Sequence, residues 1–114
     1  MERRKDGLSP KTAVAVQEET DAVCGLASWS RDPIWPGRTV VDLFCHPNAW
    51  ESAGELLALA PPPEQEPCVA YCEPDADAKK SVLDAGGYTR KAILPGWLSR
   101  GDGERVDMEV WERT

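Results

Sequence analysis

The segment Thr39–Cys45 (TVVDLFC) constrains the fold more than any other part of the chain, because Asp42 is its only charged residue. A strand with one face in water alternates polar and apolar side chains, so this run predicts a strand buried on both faces, at the centre of a sheet. After a His-Pro-Asn turn, residues 50–60 place apolar side chains at helical spacing, and three prolines end that helix. A second apolar run, Cys68–Cys72, completes a strand–helix–strand unit with parallel strands and a right-handed crossover.

Antiparallel hairpins flank this unit on both sides. The predicted flanking strands are residues 12–17, 23–30, 88–94 and 106–112, and the second helix is residues 78–85. Gly25 is a candidate for a β-bulge or a close approach of the backbone, and Gly86-Gly87 ends the second helix. The predicted fold class is therefore α/β, with a mixed β-sheet, a central parallel β-α-β unit, flanking antiparallel hairpins and helices that cover the sheet.

The chain has 114 residues, which is enough for one domain only. We assign residues 1–11 to a polar leader and residues 12–114 to a single domain. The formal charge of −7 opposes binding to nucleic acid, which requires clustered positive charge. No apolar run approaches the roughly 20 residues of a membrane helix, and the charged start lacks the pattern of a secretory leader. The four cysteines are therefore expected to be reduced, and the expected location is cytoplasmic.

The order of elements and two local motifs resemble the GNAT superfamily of N-acetyltransferases. Residues 43–47 (LFCHP) stand where that family's fourth strand ends, and residues 50–57 (WESAGELL) stand at the loop and helix that follow it. Residues 77–85 with Gly86-Gly87-Tyr88 are similar to the family's next helix and the glycine–aromatic pair behind it. The resemblance covers residues 12–113. It implies the acyl-CoA N-acyltransferase fold, acetyl-CoA as co-substrate and an amine as acceptor.

The resemblance also implies an acetyl-CoA site at the end of the central strand. In the family the pantetheine lies along that strand, and a glycine-rich loop grips the pyrophosphate through backbone N–H groups. The residues at the matching positions are Phe44, Cys45, Ala49, Trp50, Ala53, Gly54 and Glu55. Asp42 is the candidate base, which takes a proton from an ammonium acceptor directly or through water. The other interpretation of Asp42 is a polar partner for a neighbouring strand.

Several departures from the family pattern favour a different function. The loop is shorter than the family's, and Trp50 stands at its basic or Gln position. Gly54 is the one loop glycine that remains, and Leu83 stands where the family often carries a Tyr that protonates the leaving thiolate. The family's first strand and first two helices have no counterpart in the sequence. The alternative is therefore a non-catalytic GNAT-like module that acts as a homodimer or binds a partner domain.

A Cys3His set, an acidic group and two tryptophans each allow a further functional interpretation. The Cys3His set is Cys45, His46, Cys68 and Cys72. Residues within strands do not form the tight knuckle of structural zinc sites, so we predict no metal. The acidic group is Glu73, Asp75 and Asp77, which either attracts a cationic amine or caps and solvates the next helix. Trp35 and Trp97 lie close to glycines and are candidates for exposed residues of an interface or of a substrate wall.

Overall fold

The computed structural model describes residues 2–4, 11–33 and 36–113, and within them the chain forms one seven-stranded sheet and two helices. The strands are β1 (Glu2–Arg4), β2 (Thr12–Val16), β3 (Val23–Arg31), β4 (Thr39–Cys45), β5 (Cys68–Cys72), β6 (Tyr88–Ser99) and β7 (Arg105–Arg113). The helices are α1 (Ala53–Leu59), which follows a 3-10 turn at Trp50–Ser52, and α2 (Asp77–Ala85). Neither of these described helices is long and apolar enough to cross a membrane.

The sheet has the order β1-β2-β3-β4-β5-β7-β6. Among the described strands, β4 and β5 are the one parallel pair, and β7 lies between β5 and β6, antiparallel to both. The chain passes from β4 to β5 through α1 and from β5 to β6 through α2, as parallel connections require. The predicted mixed sheet with its central parallel unit and flanking hairpins is confirmed. Strand β1 lies within the segment predicted as a polar leader.

Both helices pack on the same face of the sheet. Under α1, Leu43 of β4 and Leu56 of α1 are fully buried against small residues of the neighbouring strands, Ala13, Ala15 and Ala27. Under α2, the fully buried Leu83 packs into a second cluster, formed by Val41, Cys68, Ala70, Cys72 and Tyr88. The alanines of β2 and β3 let α1 approach the sheet closely, and the β5 residues beneath α2 are also small: Cys68, Ala70 and Cys72.

Strand β4 is buried on one face only, so the prediction of a strand buried on both faces is wrong. Thr39, Val41 and Leu43 point toward the helices and are buried, whereas Asp42 and Phe44 are exposed on the other face. The exposed fraction of Phe44 is 60%. Within the described residues no helix covers that face, because right-handed crossovers bring α1 and α2 onto the same side. The strand is central in the sheet order but not between two helical layers.

Strand β6 is longer than predicted because it continues through Pro95-Gly96. Gly96 has a φ of +60°, in the left-handed region that glycine adopts readily, and its N–H donates a hydrogen bond to Asp107 Oδ1 at 3.0 Å. The pairing with β7 shifts register between Leu94 and Leu98, so this segment forms a bulge rather than a strand end. A proline is tolerated there because β6 is the edge strand of the sheet.

Gly25 is a position of close approach, as predicted. A Cβ added to it would lie 2.9 Å from Leu56 Cδ1 and 3.2 Å from Cys45 Sγ. We expect Gly25→Ala to lower the free energy of unfolding by about 1–3 kcal/mol, because the core under α1 would be overpacked. Urea unfolding measures the loss. Gly101→Ala is the matched control, since a Cβ there meets nothing within 4 Å; equal stability of the two variants would contradict the close packing of α1 on β3.

Candidate functional site

The two parallel strands at the centre of the sheet stop pairing before they end. The first pair is Thr39 with Cys68 and the last is Val41 with Ala70. Strand β4 nevertheless continues to Cys45, and β5 continues to Cys72. Beyond that point β4 remains paired with β3, and β5 with β7. We call the space between the two unpaired strand ends the β4–β5 gap. Open α/β sheets bind ligands at the carboxyl ends of their parallel strands, so this gap is a candidate site.

Side chains from two elements meet at the β4–β5 gap. Asp42 and Phe44 extend from β4, and Lys79 reaches toward them from the first turn of α2, with its Nζ 5.4 Å from the centroid of the Phe44 ring. Burial lowers the pKa of Lys79, although Cys72, Asp42 and Glu73 act to raise it. The gap therefore holds a carboxylate, an aromatic ring and an amine. Nothing in the local sequence marks Lys79, because its position depends on how α2 packs beside β4.

A groove of about 470 Å³ lies between the two helices. Its walls include Trp50, Gly54 and Leu57 from the α1 side, Val82 and Gly86 from the α2 side, and Tyr88 and Arg113 from the sheet. We call it the α1–α2 groove. Most of its lining side chains are apolar, and its charged members are Glu51 and Arg113. A groove of this kind, apolar with few charged groups, is typical of small-molecule sites.

Three of the residues predicted to contact acetyl-CoA lie at these two openings. Trp50 and Gly54 line the α1–α2 groove, and Phe44 lies at the β4–β5 gap. The candidate base, Asp42, lies on the same exposed face of β4 as Phe44. These four residues come from the strand end and the turn that the sequence pattern singled out.

The other four predicted contacts lie elsewhere. Ala53 is fully buried in the core under α1, and Cys45 packs against that core from the opposite side of β4 to Phe44. Ala49 lines a different cavity, of about 640 Å³, beside the turn between β2 and β3. Glu55 is exposed on α1. The predicted set therefore divides among the groove, the gap, the core, a second cavity and the surface.

The 3-10 turn before α1 uses several of its own backbone donors. The N–H of Ala49 donates to His46 O at 2.8 Å, the N–H of Ser52 to Ala49 O at 3.1 Å, and the N–H of Ala53 to Trp50 O. These three groups are not aimed at a ligand. The positively charged side chain of the same groove is Arg113, whose Nη2 donates to Pro63 O at 3.0 Å, beyond the opposite end of α1. Sequence reasoning missed Arg113, because only the pairing of β7 with β5 brings the chain end to this groove.

The cysteines and His46 make local contacts. The described residues hold no group of three metal-binding side chains. Cys68 is fully buried with its Sγ 3.2 Å from the Tyr88 hydroxyl, and burial raises the pKa of its thiol. His46 accepts a hydrogen bond at Nδ1 from the N–H of Asn48. Burial likewise raises the pKa of the Cys45 thiol, and the Cys24 thiol raises it further.

The acidic group after β5 pairs with a cation instead of capping α2. Arg100, in the turn between β6 and β7, lies 3.2 Å from Glu73 and 3.0 Å from Asp75. This guanidinium lowers the pKa of Asp75 through a hydrogen bond and its charge. The N-cap of α2 is Ala76, and no side chain caps the helix. The prediction of a side-chain cap in this segment is therefore wrong.

One of the two tryptophans proposed for an interface is exposed. Trp97, on the edge strand β6, has an exposed fraction of 69%. Trp35 lies outside the described residues, between the described segments 11–33 and 36–113. Leu83, at the position where the resemblance places a Tyr, is fully buried under α2 and so faces neither the solvent nor a ligand.

A buried carboxylate joins α2 to the sheet. Glu109 of β7 lies 3.2 Å from Lys80 Nζ and 3.5 Å from Arg90 Nη1, and it accepts a hydrogen bond from Trp111 Nε1 at 3.0 Å. Burial opposes its ionisation, but the hydrogen bonds from Trp111 and Lys80 outweigh that effect, so the pKa of Glu109 lies below its ordinary value. We expect Glu109→Gln to lower the free energy of unfolding by about 1–2 kcal/mol at neutral pH.

The loss of unfolding free energy in Glu109→Gln depends on pH in a defined way. A carboxyl group with a lowered folded-state pKa stabilises the protein above its unfolded-state pKa, and that contribution disappears as the pH falls through the folded-state pKa. The difference between the two proteins should therefore be full at neutral pH and shrink in acid. Thermal unfolding from neutral to acidic pH measures it, and a constant difference across that range would contradict the ionised state of Glu109.

Solved structures share this fold. The yncA protein of Salmonella typhimurium, solved with its cofactor acetyl-CoA, has a TM-score of 0.70 and 18% identity over 89% of this chain and 62% of its own. The ribosomal-protein-alanine N-acetyltransferase of Brucella melitensis has a TM-score of 0.67 and 18% identity, over 90% and 67%. The GNAT-superfamily phosphinothricin acetyltransferase of Sinorhizobium meliloti, in complex with AcCoA, has a TM-score of 0.68 and 16% identity, over 90% and 59%.

The similarity lies in the fold and not in the sequence. No protein-family model matches the chain, and no curated protein matches it. The chain spans 62% of the length of the Salmonella protein and 59% of the Sinorhizobium protein. About nine tenths of this chain nevertheless superposes on each of them, with the helices and the sheet described above. The chain therefore has the fold of the GNAT superfamily, the acyl-CoA N-acyltransferase fold.

Proposed function

We propose that the chain binds an acyl-CoA and transfers its acyl group to an amine. The observation that carries this proposal is the β4–β5 gap, because it opens the centre of the sheet where the two parallel strands end. The α1–α2 groove adds space for a second part of the same ligand. Two structures with this fold were solved with acetyl-CoA, which supports acetyl-CoA as the ligand here.

Each end of the acyl-CoA has residues suited to it. The guanidinium of Arg113 offers charged donors to a phosphate, and the apolar walls at Trp50, Leu57 and Val82 suit the less polar parts of the ligand. Glu51 lines the same groove and repels phosphate, so we place the phosphates nearer Arg113. Phe44 would contact the pantetheine arm, and the thioester supplies the electrophilic carbonyl.

Asp42 is the proposed base for the transfer. It would take a proton from the acceptor ammonium, so that the neutral amine attacks the thioester carbonyl. A C–N bond forms and the C–S bond breaks, and the thiolate of CoA takes up, through solvent, the second proton that the nitrogen loses as it becomes an amide. Leu83 has no proton to donate, and the described residues offer no tyrosine in its place on α2. No covalent intermediate with the protein is part of this transfer.

The test is release of free CoA thiol from acetyl-CoA in the presence of a panel of primary amines. We expect amine-dependent release, and Asp42→Asn should reduce kcat by about 100-fold, the usual scale of general-base catalysis. Glu55→Gln is the control, because it removes a carboxylate from the exposed side of α1. Release beyond one equivalent per chain that does not depend on an amine, or equal rates for the Asp42 variant, would contradict the proposal.

A second candidate function is a non-catalytic binding module. The helix-free face of the sheet favours it, because Val14, Leu26 and Phe44 pair directly across β2, β3 and β4 and form an apolar row there. Contiguous exposed apolar surface is typical of interaction sites.

Sedimentation velocity of the purified chain tests this second candidate. A dimer that Phe44→Asp dissociates supports the module, and a monomer at all concentrations contradicts a homodimer.

A further inference from the structure

Two consecutive lysines of α2 have opposite surroundings. Lys80 points to the sheet, where its Nζ forms a salt bridge with Glu109 at 3.2 Å. Lys79 points into the β4–β5 gap, with its Nζ 5.4 Å from the centroid of the Phe44 ring. Within the described residues, the structure gives Lys80 a carboxylate within salt-bridge distance and gives Lys79 none. The Lys80 amine is therefore held by an ion pair, whereas the Lys79 amine lies beside an aromatic ring.

The groups that face Lys79 oppose the effect of burial on the pKa of its amine. They are Asp42 on β4, Cys72 on β5 and Glu73 after β5, and each acts to raise the pKa of Lys79. Burial outweighs them, so the pKa lies below that of an exposed lysine. A larger fraction of this amine is thus neutral and nucleophilic at a given pH. The amine also stands at the opening where the proposed function places the thioester.

We propose that Lys79 is itself an acyl acceptor, so that the chain acylates its own α2 helix from a bound acyl-CoA. The inference rests on the proposed function, because it places the thioester in the β4–β5 gap. The Lys79 nitrogen attacks the thioester carbonyl, a C–N bond forms, and the C–S bond breaks. The amine proton passes to Asp42 or to water, and the CoA thiolate takes up a proton from solvent, so nothing is oxidised or reduced.

Acylation of Lys79 prevents further acylation at the same site. An acylated Lys79 has no nucleophilic amine and no positive charge, so it loses its contact with the Phe44 ring. Its acyl group would then occupy the gap that the next acyl-CoA must enter. We therefore expect one acyl group per chain at this position and slower transfer to external amines once it is present.

The experiment is incubation of the full chain with acetyl-CoA, followed by intact mass and peptide mapping. We expect acetylation of Lys79 to be at least about tenfold faster than that of Lys80, because a positioned thioester raises its effective concentration. Lys80 is an internal control on the same helix. Lys79→Arg keeps the positive charge and the fold, and it should remove the fast-modified site without raising modification of Lys80. Equal rates at the two lysines would overturn the inference.

A second reagent separates this inference from the proposed function. A short acetyl thioester that carries only the cysteamine end of the cofactor needs no nucleotide site. If calorimetry shows CoA binding but neither reagent favours Lys79, the inference fails and the proposed function stands. If CoA does not bind and only the short thioester favours Lys79, the amine is reactive but transfer from acyl-CoA is refuted. Selective acetylation by both reagents, suppressed by excess free CoA, supports the whole proposal.

Discussion

Leu43→Ala is expected to lower the free energy of unfolding by about 2–5 kcal/mol, which is the usual cost of a large-to-small change in a core. Leu43 is fully buried in the middle of β4, where it packs with Leu56 of α1 and the alanines of β2 and β3. Its loss leaves a cavity under α1 that small neighbours cannot fill. A domain of this size has a total stability of only about 5–15 kcal/mol, so the variant should unfold at a much lower urea concentration.

Phe44→Ala is the matched control for Leu43→Ala, because the two residues are adjacent in β4 and face opposite sides of the sheet. Phe44 is mostly exposed, so its truncation removes little buried surface and should cost less than about 1 kcal/mol. It should nevertheless weaken acyl-CoA binding, since Phe44 lies at the β4–β5 gap. If Phe44→Ala destabilised the protein as much as Leu43→Ala, the one-sided burial of β4 would be incorrect.

Gly54→Phe is expected to weaken CoA binding strongly while the protein stays folded. Gly54 lines the α1–α2 groove, and a Cβ built on it meets nothing within 4 Å, so an added side chain has space to extend. A phenyl ring there fills the volume that the ligand needs. We expect affinity to fall at least about 100-fold, equivalent to about 2.7 kcal/mol. Calorimetric titration with CoA measures the loss.

Gly54→Ala is the control for that variant. Its methyl group leaves most of the groove open, and alanine in place of glycine within a helix should add about 0.5–1 kcal/mol to the stability. Binding of CoA should therefore change little in this variant. If the Phe variant is folded and binds CoA as tightly as the unsubstituted chain, the groove is not part of the ligand site.

The elements of this fold could be predicted because each depends on local sequence. The apolar runs Thr39–Cys45 and Cys68–Cys72, the helical spacing between them and the turn residues around them fix strand, helix and strand in order. The prediction that β4 is buried on both faces is wrong for a physical reason. An apolar residue such as Phe44 gives the same pattern whether it packs in a core or lies at an open site. Whether such a residue is exposed depends on which face of the sheet the helices cover.

The candidate site was only partly predictable. The strand end and its turn gave Phe44, Trp50 and Gly54, which do lie at the two openings. Lys79 and Arg113 were missed because they come from other elements, which reach the site through the packing of α2 and the position of β7 between β5 and β6. The spacing of residues along the sequence does not reveal contacts between such distant elements. Buried Ala53 was included because a motif position does not reveal on which side of a helix the core lies.

Calorimetric titration of the unsubstituted chain with CoA and acetyl-CoA is the direct test of acyl-CoA binding, since it needs no acceptor and no turnover. We expect saturable binding at one site per chain with a Kd in the micromolar range, about −8 kcal/mol, and a higher Tm in the presence of ligand. No heat of binding and no change in Tm at millimolar CoA would contradict acyl-CoA recognition by this chain.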